Sequence, residues 1–114
     1  MKRFVVYSAF IATMVFLSAF TVMQKKKVIF FGDSITQAGV APNGYITLLQ
    51  QMLVKNGKDK AFDLIGAGIG GNKIYDLYLR LEDDVLSKKP DLVFIYVGIN
   101  DVWHKRSYGT GTDP

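Results

Sequence analysis

The 114-residue chain contains no cysteine and only one histidine. The absence of cysteine excludes a disulfide scaffold and any metal site built on thiolates. One histidine and scattered carboxylates form no ligand cluster, so we predict neither a metal ion nor another cofactor. The net charge of +4 is small and not concentrated in one segment, which argues against a nucleic-acid-binding protein. A chain of this length holds at most one small domain.

The N-terminus carries the one long apolar run. Lys2 and Arg3 precede an almost unbroken apolar stretch over residues 4–23. This order is typical of a secretory signal or a membrane anchor, and about 20 apolar residues also suffice to span a bilayer as a helix. We therefore predict that residues 1–24 are an export segment, cleaved or retained. We expect the protein in the periplasm, outside the cell, or anchored by this segment, which would be its only contact with a membrane.

The remainder, residues 25–114, shows alternating strand and helix patterns. Short β-prone apolar runs cover residues 28–31, 62–65 and 92–97. Apolar residues at helical spacing lie between these runs, first over residues 45–53 and then over residues 74–85. The order β-α-β-α-β predicts a parallel sheet with helices on both faces. The third run is apolar throughout, which is typical of a strand covered on both faces.

These patterns predict a three-layer α/β/α, flavodoxin-like fold with three strands and two helices present. Arg80 falls outside the apolar stripe of the second helical segment, so we place it on one of the other helix faces. Residues 103–114 contain turn-forming residues and no periodicity, and we predict that they form a loop. Three strands and two helices bury little core, so we interpret residues 25–114 as the N-terminal portion of a larger domain.

A polar loop follows each predicted strand. Ser34 lies in the first loop, Gly71 in a glycine-rich second loop, and Asn100 in the third. In an open parallel sheet, ligands bind in the crevice outside the carboxyl ends of the strands. We therefore expect these three residues to meet in one crevice. A hydroxyl, a flexible backbone and a side-chain amide at one point favour acyl-transfer chemistry.

Taken singly, each of these residues also has a structural explanation. Ser34 is of a type that caps helices, and Gly71 and Asn100 are of types that form turns. Taken in order, the segments resemble three of the four motif blocks of the SGNH (GDSL-like) hydrolase family. The nucleophile block corresponds to residues 32–34, the second block to Gly71, and the third to residues 98–101. The resemblance extends over residues 27–103.

The resemblance implies a serine esterase that needs no cofactor. Ser34 would attack an ester carbonyl, while its own N–H, the Gly71 N–H and the Asn100 amide would form the oxyanion hole. Asp33 would shape the turn that presents the serine, without a catalytic role. By analogy, the Gly-Ile-Asn-Asp-Val-Trp-His segment at residues 98–104 resembles the branch that deacetylates carbohydrates. The expected substrate is a small ester, with acetylated carbohydrate favoured over lysophospholipid or thioester.

The fourth block of that family, a C-terminal Asp-x-x-His, is absent. His104 stands three positions after Asp101, but Asp101 belongs to the third block. We expect His104 to line the substrate cleft or to lie in an exposed loop, and we favour both over a role as the base. Removal of triad members leaves little catalysis, so we predict that the 114-residue chain folds poorly and is nearly inactive.

Two rival functions remain. Gly66, Gly68 and Gly71 match the glycine pattern of a dinucleotide-binding turn. That function also needs an acidic residue at the end of the next strand; Asp91 lies at its start and Asp101 lies too far along the chain. The second rival is a degenerate, non-catalytic binding protein that keeps the crevice.

Overall fold

The computed structural model of the protein describes residues 24–111, so the predictions for residues 1–23 lie outside the described residues. Its sheet contains β1 (Lys26–Gly32), β2 (Phe62–Gly68) and β3 (Leu92–Tyr96). The strand order is β2-β1-β3, and β1 pairs in parallel with both neighbours. The predicted parallel α/β fold is confirmed.

Helical segments connect and follow the strands. Between residues 24 and 111 they are α1 (Ser34–Gly39), α2 (Tyr45–Lys55), α3 (Ile74–Leu79), α4 (Leu81–Asp84), a 3₁₀ turn (Leu86–Lys88) and α5 (Ile99–Tyr108). None of the helices in this part of the chain is long and apolar enough to cross a membrane.

Strand β1 separates two apolar clusters, one on each face of the sheet. The cluster on the α3 side consists of Ile29, Phe31, Leu77 and Val85. The cluster on the α2 side consists of Val28, Phe30 and Ile46. Successive side chains of a strand point to opposite faces, so one short apolar run supplies both clusters. Helices therefore cover both faces of β1, which gives the three predicted layers.

The prediction of only two helices was wrong in three places. Residues 34–39, expected within a polar loop, form α1. The helical pattern over residues 74–85 breaks at Arg80, whose φ of −109° and ψ of 8° separate α3 from α4. Residues 103–108, expected in a loop, belong to α5. This last helix exposes Val102 and Trp103, so it lacks the apolar stripe by which helices are recognised in a sequence.

Strand β3 lies at the edge of the sheet, and its side chains are largely exposed. Phe94 stacks on Phe30 with ring centroids 5.1 Å apart, yet Phe94, Ile95 and Tyr96 are each at least half exposed. The expectation that both faces of this strand are covered is therefore wrong for residues 24–111. An exposed apolar edge strand favours association with other chains.

We predict that Ile95→Lys reduces self-association, because it places a charge on the exposed edge strand. Val54→Lys on α2 is the matched control, since Ile95 and Val54 are similarly exposed, at 64% and 58%. Sedimentation velocity over a range of concentrations measures the effect. Equal behaviour of the two variants would show that β3 does not mediate the association.

Candidate active site

Ser34 follows β1 after a single intervening residue, the buried Asp33. The Oδ1 atom of Asp33 accepts a hydrogen bond from the Ile35 N–H at 3.0 Å, which makes Asp33 the N-cap of α1. The alternative in which Ser34 caps the helix is therefore wrong. Ser34 is instead the exposed first residue of α1, and the N–H of such a residue has no acceptor within its own helix.

The second segment passes beside Ser34. It is tied to the end of β1 by a hydrogen bond of 3.1 Å from the Ile69 N–H to the Gly32 carbonyl. A Cβ atom placed on Gly70 would lie 3.9 Å from the Ser34 Cβ. The next residue, Gly71, has a φ of +79°, a conformation that residues with a side chain rarely adopt. The turn that holds Gly71 is thus adjacent to the serine.

The third segment holds the second through side chains of α5. The Asn100 Nδ2 donates to the Asn72 carbonyl at 2.9 Å. The buried carboxylate of Asp101 accepts from the Ile74 N–H, at 3.3 and 3.2 Å to its two oxygens. Both contacts hold the backbone that follows Gly71. The structure therefore brings all three predicted segments to one end of the sheet.

His104 lies close to this turn. It is half-buried on α5, and its Cε1 would be 3.9 Å from a Cβ atom on Gly71. Its ring meets that of Tyr108 edge to face, with centroids 5.3 Å apart. The expectation of an exposed loop is wrong, because the residue is helical and packed beside the glycine turn.

Arg80 belongs to this region although its place in the sequence gave no sign of it. Its guanidinium donates to the Gly32 carbonyl at 2.8 Å, to the Ala67 carbonyl at 3.0 Å and to Asn72 Oδ1 at 2.7 Å. The same group lies over the Phe31 ring, 4.4 Å from its centroid. The helix ends at Arg80, and the side chain of Arg80 lies against the carboxyl ends of β1 and β2 instead of on an outer face of the helix.

A cavity of about 250 Å³ opens between the carboxyl ends of β1 and β3. It is lined by Asp33, Ile35, Tyr96, Val97 and Ile99. The chain connects β1 to β2 on one side and then crosses to β3 on the other, so this is the point where the strand order reverses. Ligands of open α/β sheets bind at such points.

The site offers hydroxyl, amide and backbone donors without a metal-binding cluster. Within residues 24–111, no group of three or more histidine, cysteine or acidic side chains is placed to hold a metal ion. The Oδ2 atom of Asp33 is buried and has no hydrogen-bond partner in this part of the chain. The hydroxyl, amide and backbone N–H groups are suited to bind a small polar group.

A profile of the GDSL-like lipase/acylhydrolase family matches residues 30–112. The chain belongs to this family. The match includes the segments of Ser34, Gly71 and Asn100, and it confirms the resemblance seen in the sequence.

Several known proteins are similar to this chain. An acetylxylan esterase of Geobacillus stearothermophilus is 36% identical over 91 residues, which cover 70% of this chain and 42% of that protein. The crystal structure of acetyl xylan esterase AlAXEase is 72% identical with a TM-score of 0.75, over 76% of this chain and 44% of that one. The structure of Axe2, an acetylxylan esterase from G. stearothermophilus, is 31% identical with a TM-score of 0.61, over 79% and 47%. The chain spans less than half the length of these relatives.

The rival dinucleotide-binding pattern does not form the turn it requires. Gly66 and Gly68 lie within β2, so only Gly71 belongs to the loop. A Cβ atom on Gly68 would lie only 2.1 Å from the Gln37 backbone nitrogen. The space beside Gly68 is thus filled by α1 and is not open to a phosphate group.

We predict that Gly71→Ala lowers the free energy of unfolding by about 1–2 kcal/mol, the usual cost of a left-handed backbone for a residue with a side chain. Gly57→Ala is the matched control, since Gly57 has a φ of +66° and no heavy atom within 4 Å of its Cβ position. We expect similar losses in urea denaturation, with a larger loss for Gly68→Ala. A much larger loss for Gly71→Ala than for Gly57→Ala would contradict backbone strain as the main cost.

Proposed function

We propose that the protein is a serine esterase that removes acetyl groups from carbohydrate. The observation that carries this proposal is the meeting of Ser34, the Gly71 turn and Asn100 at one end of the sheet. The family membership supports ester hydrolysis, and the acetylxylan esterases among the relatives support an acetylated carbohydrate as the substrate.

In the proposed reaction, Ser34 is the nucleophile. Its Oγ bonds to the carbonyl carbon of the acetyl group and gives its proton to a general base, because a neutral hydroxyl is a weak nucleophile. The tetrahedral intermediate then expels the sugar oxygen, which takes up the proton. Water hydrolyses the acetyl-serine to acetate and free enzyme. The exposure of Ser34 at the start of α1 supports this role.

The negative charge on the carbonyl oxygen needs fixed donors. We assign these to the N–H groups of Ser34 and Gly71 and to the amide of Asn100. An asparagine amide has two donor hydrogens, and the bond from Nδ2 to the Asn72 carbonyl uses one and fixes the plane of the group. The second hydrogen is then preorganised for the oxyanion, and preorganised donors of this kind supply a large part of the rate enhancement.

The general base is not assigned to His104. Its place beside the Gly71 turn supports a role in lining the substrate cleft. We propose that an Asp-x-x-His pair of the family type, in the part of such a domain that this chain does not span, provides the base. The 114-residue chain should then hydrolyse p-nitrophenyl acetate only slightly faster than buffer. Fast hydrolysis lost in both Ser34→Ala and His104→Ala would instead identify His104 as the base.

The proposal is tested in a chimera in which residues 27–111 replace the matching segment of AlAXEase, because that relative is 72% identical here. We expect acetate release from acetylated xylan. Ser34→Ala should lower kcat by about 10⁴-fold or more, and Asn100→Ala by about 10²–10³-fold. Asn56→Ala is the control, since the Asn56 side chain bonds to the Met52 carbonyl at the end of α2.

Two results would contradict the proposal. A folded chimera without esterase activity would favour the non-catalytic binding protein. Retention of activity in Ser34→Ala would remove this serine from the mechanism. Circular dichroism of each variant establishes that it is folded.

We also propose that residues 1–24 export the protein, which would bring the enzyme to polymeric carbohydrate outside the cell. The basic start and the apolar run support this. Fused to an alkaline phosphatase that lacks its own signal, these residues should give periplasmic activity. Val15→Arg with Phe16→Arg should abolish that activity. Equal activity of the two fusions would contradict export by this segment.

A further inference from the structure

Arg80 contacts two of the three segments that meet at the candidate active site, and Asn72 links it to the third. Its Nη2 donates to the carbonyl of Gly32, two residues before Ser34. Its Nε donates to the side chain of Asn72, which follows Gly71. The backbone carbonyl of Asn72 in turn accepts from Asn100. One guanidinium thus connects the nucleophile segment, the glycine turn and, through Asn72, the asparagine.

The position of Arg80 matches the geometry of a guanidinium group. Its side chain is only 15% exposed and packs over the Phe31 ring. A guanidinium carries five N–H donors in a planar fork, whereas an ammonium is a point charge with rotatable donors. Such a fork donates at the same time to acceptors on β1, β2 and the following loop, which an ammonium does with less fixed geometry.

We propose that Arg80 is a positioning residue of the esterase, which orients the Asn100 amide and the Gly71 turn by holding Asn72 and the end of β1. The inference rests on the proposed function for the role of Asn100, but the geometry that it claims is measurable without activity. Arg80 itself does not touch the substrate.

A purely structural role would act through a different contact. The Nη1 atom of Arg80 also donates to Asp84 Oδ2 at 2.6 Å, which links it to α4. If Arg80 served only to attach α4, then Asp84→Asn should have the same effect as Arg80→Lys. If Arg80 positions the site, only Arg80→Lys should disturb Asn100. Asp84→Asn is therefore the matched control.

The test uses the full 114-residue chain in detergent with ¹⁵N-labelled asparagine. The chain has four asparagines, namely Asn43, Asn56, Asn72 and Asn100, so NMR resolves four side-chain amide pairs. In Arg80→Lys we expect the Asn72 and Asn100 amide signals to move towards free-amide values. The Asn100 amide hydrogens should exchange at least about ten-fold faster, as the loss of the hydrogen bond that Asn100 donates predicts. The Asn56 signal, which reports on α2, should stay unchanged.

Asn72→Ala provides a second and milder variant. It removes the acceptor of the Arg80 Nε and keeps the backbone, so Asn100 should be disturbed while Asn56 is not. If Arg80→Lys also releases Asn56, the chain has unfolded and Asn72→Ala decides. An unchanged Asn100 in either folded variant, or an equal change in Asp84→Asn, would overturn the proposal.

Kinetics in the AlAXEase chimera separate this proposal from the proposed function. Arg80→Lys should lower kcat about ten-fold or more with little change in KM, because a misplaced oxyanion donor acts on the transition state. Disturbed Asn100 signals with an unchanged kcat would overturn the positioning role. An inactive chimera that carries Arg80 would contradict the proposed function, and the NMR result would still decide whether Arg80 orients Asn100.

Discussion

The structure depends on the burial of residues 28–32 of β1 between two parallel partners. This strand pairs with β2 over its whole length and with β3 over five residues. Its side chains belong to both apolar clusters. Each buried side chain of this size contributes about 1.5–3 kcal/mol. Because parallel strands end at the same edge of the sheet, fixing β1 also fixes where the three polar segments lie. The position of Ser34 is therefore a consequence of the core.

The convergence of these segments needs more than parallel strands, because loops after neighbouring strands can still point apart. Here they are joined by polar contacts across the sheet edge. The Gly32 carbonyl accepts from both Ile69 and Arg80, and Asn100 and Asp101 hold the backbone that follows Gly71. Buried polar groups that satisfy one another in this way favour a single arrangement. The turn is consequently fixed by its neighbours as well as by its own conformation.

The sequence was sufficient to predict the features that follow from the spacing of apolar residues along the chain. The three strands, the helical character of α2 and the common edge that holds Ser34, Gly71 and Asn100 follow from apolar runs and from the parallel order. The helix α5 could not be predicted in this way, since its apolar side chains do not face the core. The exposure of β3 was also hidden, because an apolar run has the same composition whether or not another element covers it.

Arg80 shows most clearly which contacts cannot be predicted from the spacing of apolar residues. On a regular helix its spacing from Leu77 and Leu81 places it away from the apolar stripe, so a sequence assigns it to another face. The helix ends at this residue, however, and the change in backbone direction places the side chain against the carboxyl ends of β1 and β2. Only the positions of carbonyl groups on distant strands reveal why an arginine is there.

The charge of Arg80 is largely matched by its surroundings. Asp84 accepts one of its N–H groups at 2.6 Å, and the remaining partners are neutral oxygens of Gly32, Ala67 and Asn72. A paired cation contributes less to the field at a developing oxyanion than a free one would. The group therefore acts mainly through its shape, because planar donors in several directions fix the acceptors relative to one another. A site that stabilises charge with neutral donors, Asn100 and backbone N–H groups, depends on such fixed geometry, since a donor that can rotate away loses its advantage over water.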